Sequence, residues 1–76
     1  MPVDRLRAEL VALLPRLRRF ARALTRNASD ADDLVQTAIE RALRHAGQLR
    51  ADGQVAGWMF GIVRNAWIDE RRARVQ

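Results

Sequence analysis

From Asp4 to Arg26 the apolar side chains Leu6, Leu10, Val11, Leu13, Leu14, Leu17, Phe20, Ala21 and Leu24 recur at steps of three and four. That is the period of a helix with one buried face. Pro15 interrupts it. Proline suits the first turn of a helix and removes a hydrogen bond inside one, so the pattern predicts a short helix ending near Leu13 and a second starting at Leu14 or Pro15. A single kinked helix is the alternative. Ser29, followed by Asp30, Asp32 and Asp33, reads as the cap of a further helix whose positive end is met by carboxylates. Its apolar stripe is Ala31, Leu34, Val35, Ala38, Ile39, Ala42, Leu43 and Ala46, and Gly47 is the expected stop. Residues 47–53 hold two glycines and no periodicity, so they read as a loop, with Asp52 placed to cap the next helix. That last helix is expected from about Gln54 to about Arg74, with Val55, Trp58, Met59, Ile62, Val63 and Ala66 turned inward.

β-branched and aromatic residues are sparse, and the expected fold is all-α: a small bundle of three main helices plus a short N-terminal one. With 76 residues the chain is a single domain, 1–76. A chain of this size hides only about 60% of its unfolded surface, which argues against a deep substrate cavity. The absence of cysteine excludes a disulfide framework and a thiolate zinc site, and a lone histidine excludes an imidazole metal cluster or a Ser-His-Asp triad. No catalytic residue, metal ligand or cofactor is therefore expected. The longest apolar run, around Leu13 and Leu14, falls far short of the roughly 20 residues of a membrane span.

Charge then sorts the helices by partner. All 14 basic residues are arginine, and the net charge is +5. Residues 1–29 carry seven Arg and two acids (+5), residues 30–49 four acids and two Arg (−2), and residues 50–76 five Arg and three acids (+2). A basic–acidic–basic order implies a polyanion and a second kind of partner. On the last helix, Phe60, Arg64, Trp67 and Arg71 share an arc of about 60°, and Trp58, Asn65, Asp69 and Arg72 share another. Rings interleaved with guanidiniums suit single-stranded nucleic acid. For Phe60 and Trp67 the favoured reading is instead a second core interface with the first helices. On the middle helix Asp33, Gln36, Thr37 and Glu40 form a compact acidic and amide patch fit for a basic partner helix. Arg18, Arg22 and Arg26 make a basic stripe whose default reading is a solvated face.

The strings Leu14-Pro-Arg-Leu-Arg-Arg-Phe-Ala21, Asp30-Ala-Asp-Asp-Leu-Val-Gln36 and Trp58-Met-Phe-Gly-Ile-Val-Arg-Asn-Ala-Trp-Ile-Asp69, the last followed by Arg71-Arg72, closely resemble region 2 of bacterial RNA polymerase sigma factors of the extracytoplasmic-function class. The resemblance covers nearly the whole chain. It implies a helical domain that docks on the clamp helices of the largest catalytic polymerase subunit and captures the non-template strand of a promoter's minus-ten element. It also implies an anti-sigma factor as a partner and a cytoplasmic, nucleoid-associated place of action. The polymerase contacts implied are Asp33, Gln36 and Glu40, with Asp30 and Thr37 beside them. The implied base-capturing loop is 46–53, with Gln48, Leu49, Arg50 and Asp52 as contacts. Asn65, Asp69 and Arg72 match positions that face upstream bases and backbone. Trp58-Met59 stands where housekeeping relatives carry two tryptophans as a strand-opening wedge, which implies weaker melting and a stricter promoter requirement. The loop departs from the family in reading Arg50-Ala-Asp-Gly53 with no aromatic residue, so a base preference does not carry over. The helix-turn-helix domain that reads the minus-thirty-five element has no counterpart here, so the chain is expected to be a piece of a longer protein. The alternative is a sigma-like decoy that binds an anti-sigma factor without touching DNA.

Overall fold

A computed structural model describes residues 2–49 and 53–75. Among the described residues, helices α1 (Val3–Thr25), α2 (Ala28–Arg44) and α3 (Val55–Val75) pack around one core, and a 3-10 turn, Ala46–Gln48, follows α2. The all-α bundle is as the pattern predicts. The separate N-terminal helix is not: α1 runs unbroken through Pro15. The apolar phase explains this. Leu6 and Leu10 before the proline, and Leu17 and Ala21 after it, are buried on the same face. Burying a leucine is worth about 1.5–3 kcal/mol, so swinging the first turns off the core would cost as much as the roughly 3 kcal/mol of an internal proline, or more. Pro15 itself is exposed. Val11, the residue whose carbonyl would have accepted the missing N–H, is 65% exposed and not part of the inner stripe.

α2 is the element that both other helices share. Its buried positions are Ala31, Leu34, Val35, Ala38 and Ala42, and the three alanines let the neighbouring backbones come close. Leu6 and Leu17 from α1, and Met59 and Val63 from α3, fill the space so left, all fully buried. No buried polar side chain interrupts this core among the described residues. The Cα envelope measures 37 × 25 × 16 Å, so the bundle is two helices deep at its thinnest.

Two turns differ from the sequence expectation. The cap of α2 is Asn27, not Ser29: its side-chain oxygen accepts the Asp30 N–H at 2.9 Å, which starts the helix one residue before Ser29 and leaves Ser29 exposed in the first turn. The chain reaches Asn27 through Arg26, whose φ of 58° makes it left-handed. Thr25 braces this corner, its hydroxyl donating to the Ala21 carbonyl at 2.9 Å. At the other end α2 stops at Arg44 with His45 as its cap, ahead of Gly47, and no described glycine has positive φ. The 3-10 turn then carries Leu49 into the core, where it is 8% exposed. The expected cap Asp52, and Arg50 two residues before it, lie outside the described residues.

The tight α1–α2 corner makes a prediction. A non-glycine residue in the left-handed region costs about 1–2 kcal/mol, so Arg26→Gly should raise stability by about 1 kcal/mol. Asn27→Ala removes the side-chain cap of α2 and should lower it by about 1 kcal/mol, while Asn27→Ser should cost little. Urea unfolding midpoints followed by circular dichroism measure all three.

Candidate functional site

The outer face of α2 presents Asp33, Gln36 and Glu40 to solvent, with Thr37 and Asp30 half-buried beside them. Gln36 Nε2 donates to Glu40 Oε1 at 3.4 Å one turn on, so amide and carboxylate sit side by side. Of the residues expected to form one patch, Gln36 and Glu40 are in contact, whereas Asp30 lines a cleft with Leu24, Trp67 and Arg71. Gln36 and Glu40 also border a groove that the sequence did not disclose. Leu14, Arg18, Asp32, Gln36, Ile39 and Glu40 line one part of this groove between α1 and α2. Its continuation, about 180 Å³, is lined by Arg7, Leu10, Val11, Leu14, Ile39 and Leu43. Only the exposure of Val11 reveals it, because a periodic apolar residue is read as core until the packing is known.

α3 divides its outward residues between two flanks. Towards α1, the Phe60 ring meets Phe20 edge-on, with centroids 5.1 Å apart and planes at 84°. Arg16 lies over Phe60 at 5.4 Å and Arg71 over Trp67 at 4.8 Å. Phe60 and Trp67 are half-buried against the core, as the core-interface reading of these rings expects. Towards α2, Asn65 and Arg72 are exposed and Trp58 is half-buried against the core. Asp69 belongs to this flank and is not free: Arg41 Nη1 of α2 donates to its Oδ2 at 2.9 Å. Arg41 is the partner of Asp69 that periodicity does not reveal. A pair separated by 28 positions leaves no periodic signature.

The loop residues part company. Gln48 is exposed, its Nε2 3.5 Å from His45 Nδ1. Leu49, expected to touch a base, is instead packed in the core. The expected contacts Arg50 and Asp52 lie outside the described residues. Among the described residues no group of three His, Cys, Asp or Glu side chains is arranged to hold a metal ion. No described helix is long and apolar enough to cross a membrane.

The family model described as the Sigma2 domain of PhyR matches residues 10–64, which span all of α2, the loop and half of α3. The chain belongs to the region 2 domains of extracytoplasmic-function sigma factors. This sigma region 2 domain is 40% identical over 75 residues to the ECF RNA polymerase sigma factor EcfG of Rhodopseudomonas palustris, an alignment covering 97% of the domain and 41% of that protein. It is 46% identical over 59 residues to SigM of Mycobacterium tuberculosis, covering 76% of the domain and 30% of SigM. SigL of the same organism is 40% identical over 56 residues, with 72% and 32% covered. The domain therefore spans well under half the length of these relatives. No solved structure matches it.

The Arg41–Asp69 bridge fastens the two surfaces to each other across the α2–α3 seam. Its side chains are 33% and 53% exposed, so solvent screens it and its coupling energy should be about 0.5 kcal/mol. A double-mutant cycle with Arg41→Ala and Asp69→Ala in urea unfolding measures that coupling, and it should shrink as salt is raised.

Proposed function

We propose that the domain acts in transcription initiation, docking on core RNA polymerase through α2 and capturing the non-template strand of a promoter's minus-ten element through α3 and the loop before it. The observation that carries this reading is the separation of the two family surfaces. Asp33, Gln36 and Glu40 are open on one helix, and Asn65 and Arg72 are open on another. A clamp helix and a DNA strand could therefore bind at the same time without competing for side chains.

The strand-opening step follows from differential affinity. A surface that binds unpaired DNA better than duplex shifts the melting equilibrium toward the open form by that difference and no more. Extruding a base costs a few kcal/mol of stacking, which a pocket must offset. Leu49 and Val55, the residues that precede and follow this stretch of chain, are both buried in the core. In this reading Leu49 is an anchor, and base contact falls to Gln48, Arg50 and Asp52. Asn65 offers both a donor and an acceptor to a base edge, Arg72 a phosphate-binding fork, and Asp69, held by Arg41, an acceptor whose charge is partly offset. Trp58 is set just after the loop and packs on the core, which suits a rigid ring against which a base can stop. The carboxylates and amide on α2 suit a basic helix of the polymerase. No chemical step is assigned to the domain, and the work is binding alone.

Two glycines support a close approach of backbone to α3. Gly57 and Gly61 sit inside the helix, where each costs about 1 kcal/mol relative to alanine, yet a Cβ at either would meet nothing within 4 Å. Packing does not require them. Gly61→Ala should therefore raise the melting temperature while weakening strand binding, opposite signs that thermal unfolding and fluorescence anisotropy read separately.

A second reading, a sigma-like decoy that takes an anti-sigma factor without contacting DNA, draws on the apolar groove beside Val11 and Ile39, a surface suited to protein. Binding to single-stranded oligonucleotides with varied minus-ten sequences, against matched duplex, separates the two. Sequence-dependent preference for the single strand is expected. Equal affinity for duplex of any sequence would sink the promoter reading. Arg72→Ala should weaken strand binding about tenfold, while Asp33→Ala should leave it intact and impair capture by core polymerase.

A further inference from the structure

By spacing along the chain, the expected partner of Asp69 is Arg72, three positions on in the same helix, where carboxylate and guanidinium commonly pair. The structure pairs it instead with Arg41 of α2, Nη1 donating to Oδ2 at 2.9 Å. Among the described residues the ion pairs are this one and Arg5–Glu9, so Arg72 stays exposed and unmatched by a described carboxylate. Asp69 has only Oδ2 engaged; its other oxygen accepts no hydrogen bond from a described residue. The core sets this choice. Arg41 directly precedes Ala42 and Asp69 follows Ala66 by three positions, and both alanines are fully buried where α2 and α3 cross.

We propose that Arg41 is a positioning residue for promoter recognition: by engaging one oxygen of Asp69 it presents the other to a base, and it leaves Arg72 available to a phosphate. The inference rests on the strand-capture reading, in which Asn65, Asp69 and Arg72 meet the strand. A carboxylate tied at one oxygen loses much of its rotational freedom and offers its remaining acceptor in a narrower range of places. An ionised carboxylate accepts hydrogen bonds and never donates them. Asp69 so held favours a base with an exocyclic amino group, such as adenine or cytosine, over thymine, which has none and whose ring N–H lies between two carbonyl oxygens. The same guanidinium offsets a negative charge that would otherwise repel the strand's phosphates. Without Arg41, the unmatched carboxylate would draw Arg72 at helical spacing, and the strand would lose part of both contacts. The bridge is half-exposed, so the effect is modest, about threefold in base discrimination.

The test measures, by fluorescence anisotropy, binding of the full chain to single-stranded oligonucleotides that carry thymine or an amino-bearing base at one minus-ten position at a time. Arg41→Ala should lower discrimination at one such position about threefold and leave it unchanged at the others. Arg41→Lys should retain most of that discrimination, because the bridge uses a single guanidinium nitrogen, which an ammonium can replace. Asp69→Ala should abolish discrimination at the same position, and adding Arg41→Ala to it should change discrimination no further. Arg72→Ala should also weaken binding less in the Arg41→Ala chain than in the unsubstituted one. If Arg41→Ala lowers affinity for every oligonucleotide equally, Arg41 contributes charge or structure alone and the proposal is overturned. It is overturned as well if the Arg41→Ala effect on discrimination persists in the Asp69→Ala chain, since Arg41 would then act without Asp69. The strand-capture reading fails by a different result, the absence of sequence preference in the unsubstituted chain, and this role falls with it.

Discussion

The close contact of α1 and α3 with the alanine-lined face of α2 is the constraint on which the rest of this structure depends. Ala31, Ala38 and Ala42 give up bulk so that two longer helices can reach over a shorter one. The lost volume is returned by Leu17, Met59 and Val63 from either side. Small-to-large changes at such positions force backbones apart, and here that would move the two flanks of α3 relative to the patch on α2. A core made wholly of apolar side chains, with every described polar group outside, also means that no internal polar network has to be disturbed when a partner binds. The outer faces of α2 and α3 are therefore free to be chosen for recognition.

That freedom shows in how the arginines are held. A chain with 14 of them and a net charge of +5 could have tied them to its nine carboxylates. Among the described residues it pairs two. Two others rest on aromatic rings, where the charge is positioned without being neutralised. The uncompensated field costs some self-repulsion, and its return is attraction of a polyanion over a distance set by the ionic strength. The carboxylates on α2 interrupt this field at one place. Under the proposed reading, Asp33 and Glu40 would disfavour nucleic acid on the face offered to a protein partner.

Much of this was legible in the sequence because helical periodicity reports burial directly. The inward residues of α2 and α3, and the strings that resemble sigma region 2, needed no coordinates. What failed was local geometry. Pro15 reads as a break, since a short window cannot weigh one missing hydrogen bond against the burial of Leu6 and Leu10 several residues away. Ser29 and Asn27 are both acceptable caps, and the choice was made by Arg26 turning left-handed, a backbone state with no glycine to announce it. Val11 and Leu49 show where periodicity stops reporting burial: the one is periodic and lies outside, the other is aperiodic and lies within. Arg41 was missed because its partner is fixed by the crossing of two helices, not by spacing along one.

The position of that bridge bears on how the two surfaces work together. Arg41 follows Glu40 directly, so the residue that fixes Asp69 is the immediate neighbour of one proposed to meet the polymerase. A cationic partner helix drawn to Glu40 would also approach Arg41 and weaken its hold on α2 through like charge, whereas a DNA phosphate near Arg72 would draw the same guanidinium outward. The bridge is half-exposed and worth only a fraction of a kcal/mol, which makes it easy to rearrange and too weak to hold the fold by itself. Under the proposed reading, occupancy of either surface would shift this contact. With Arg41 in place, one oxygen of the Asp69 carboxylate is engaged at 2.9 Å and its charge is partly offset. A buried pair at this seam would carry a desolvation cost that its attraction need not repay, and losing one partner of it would cost several kcal/mol, about 3–5, where loss of the exposed pair costs a fraction of one.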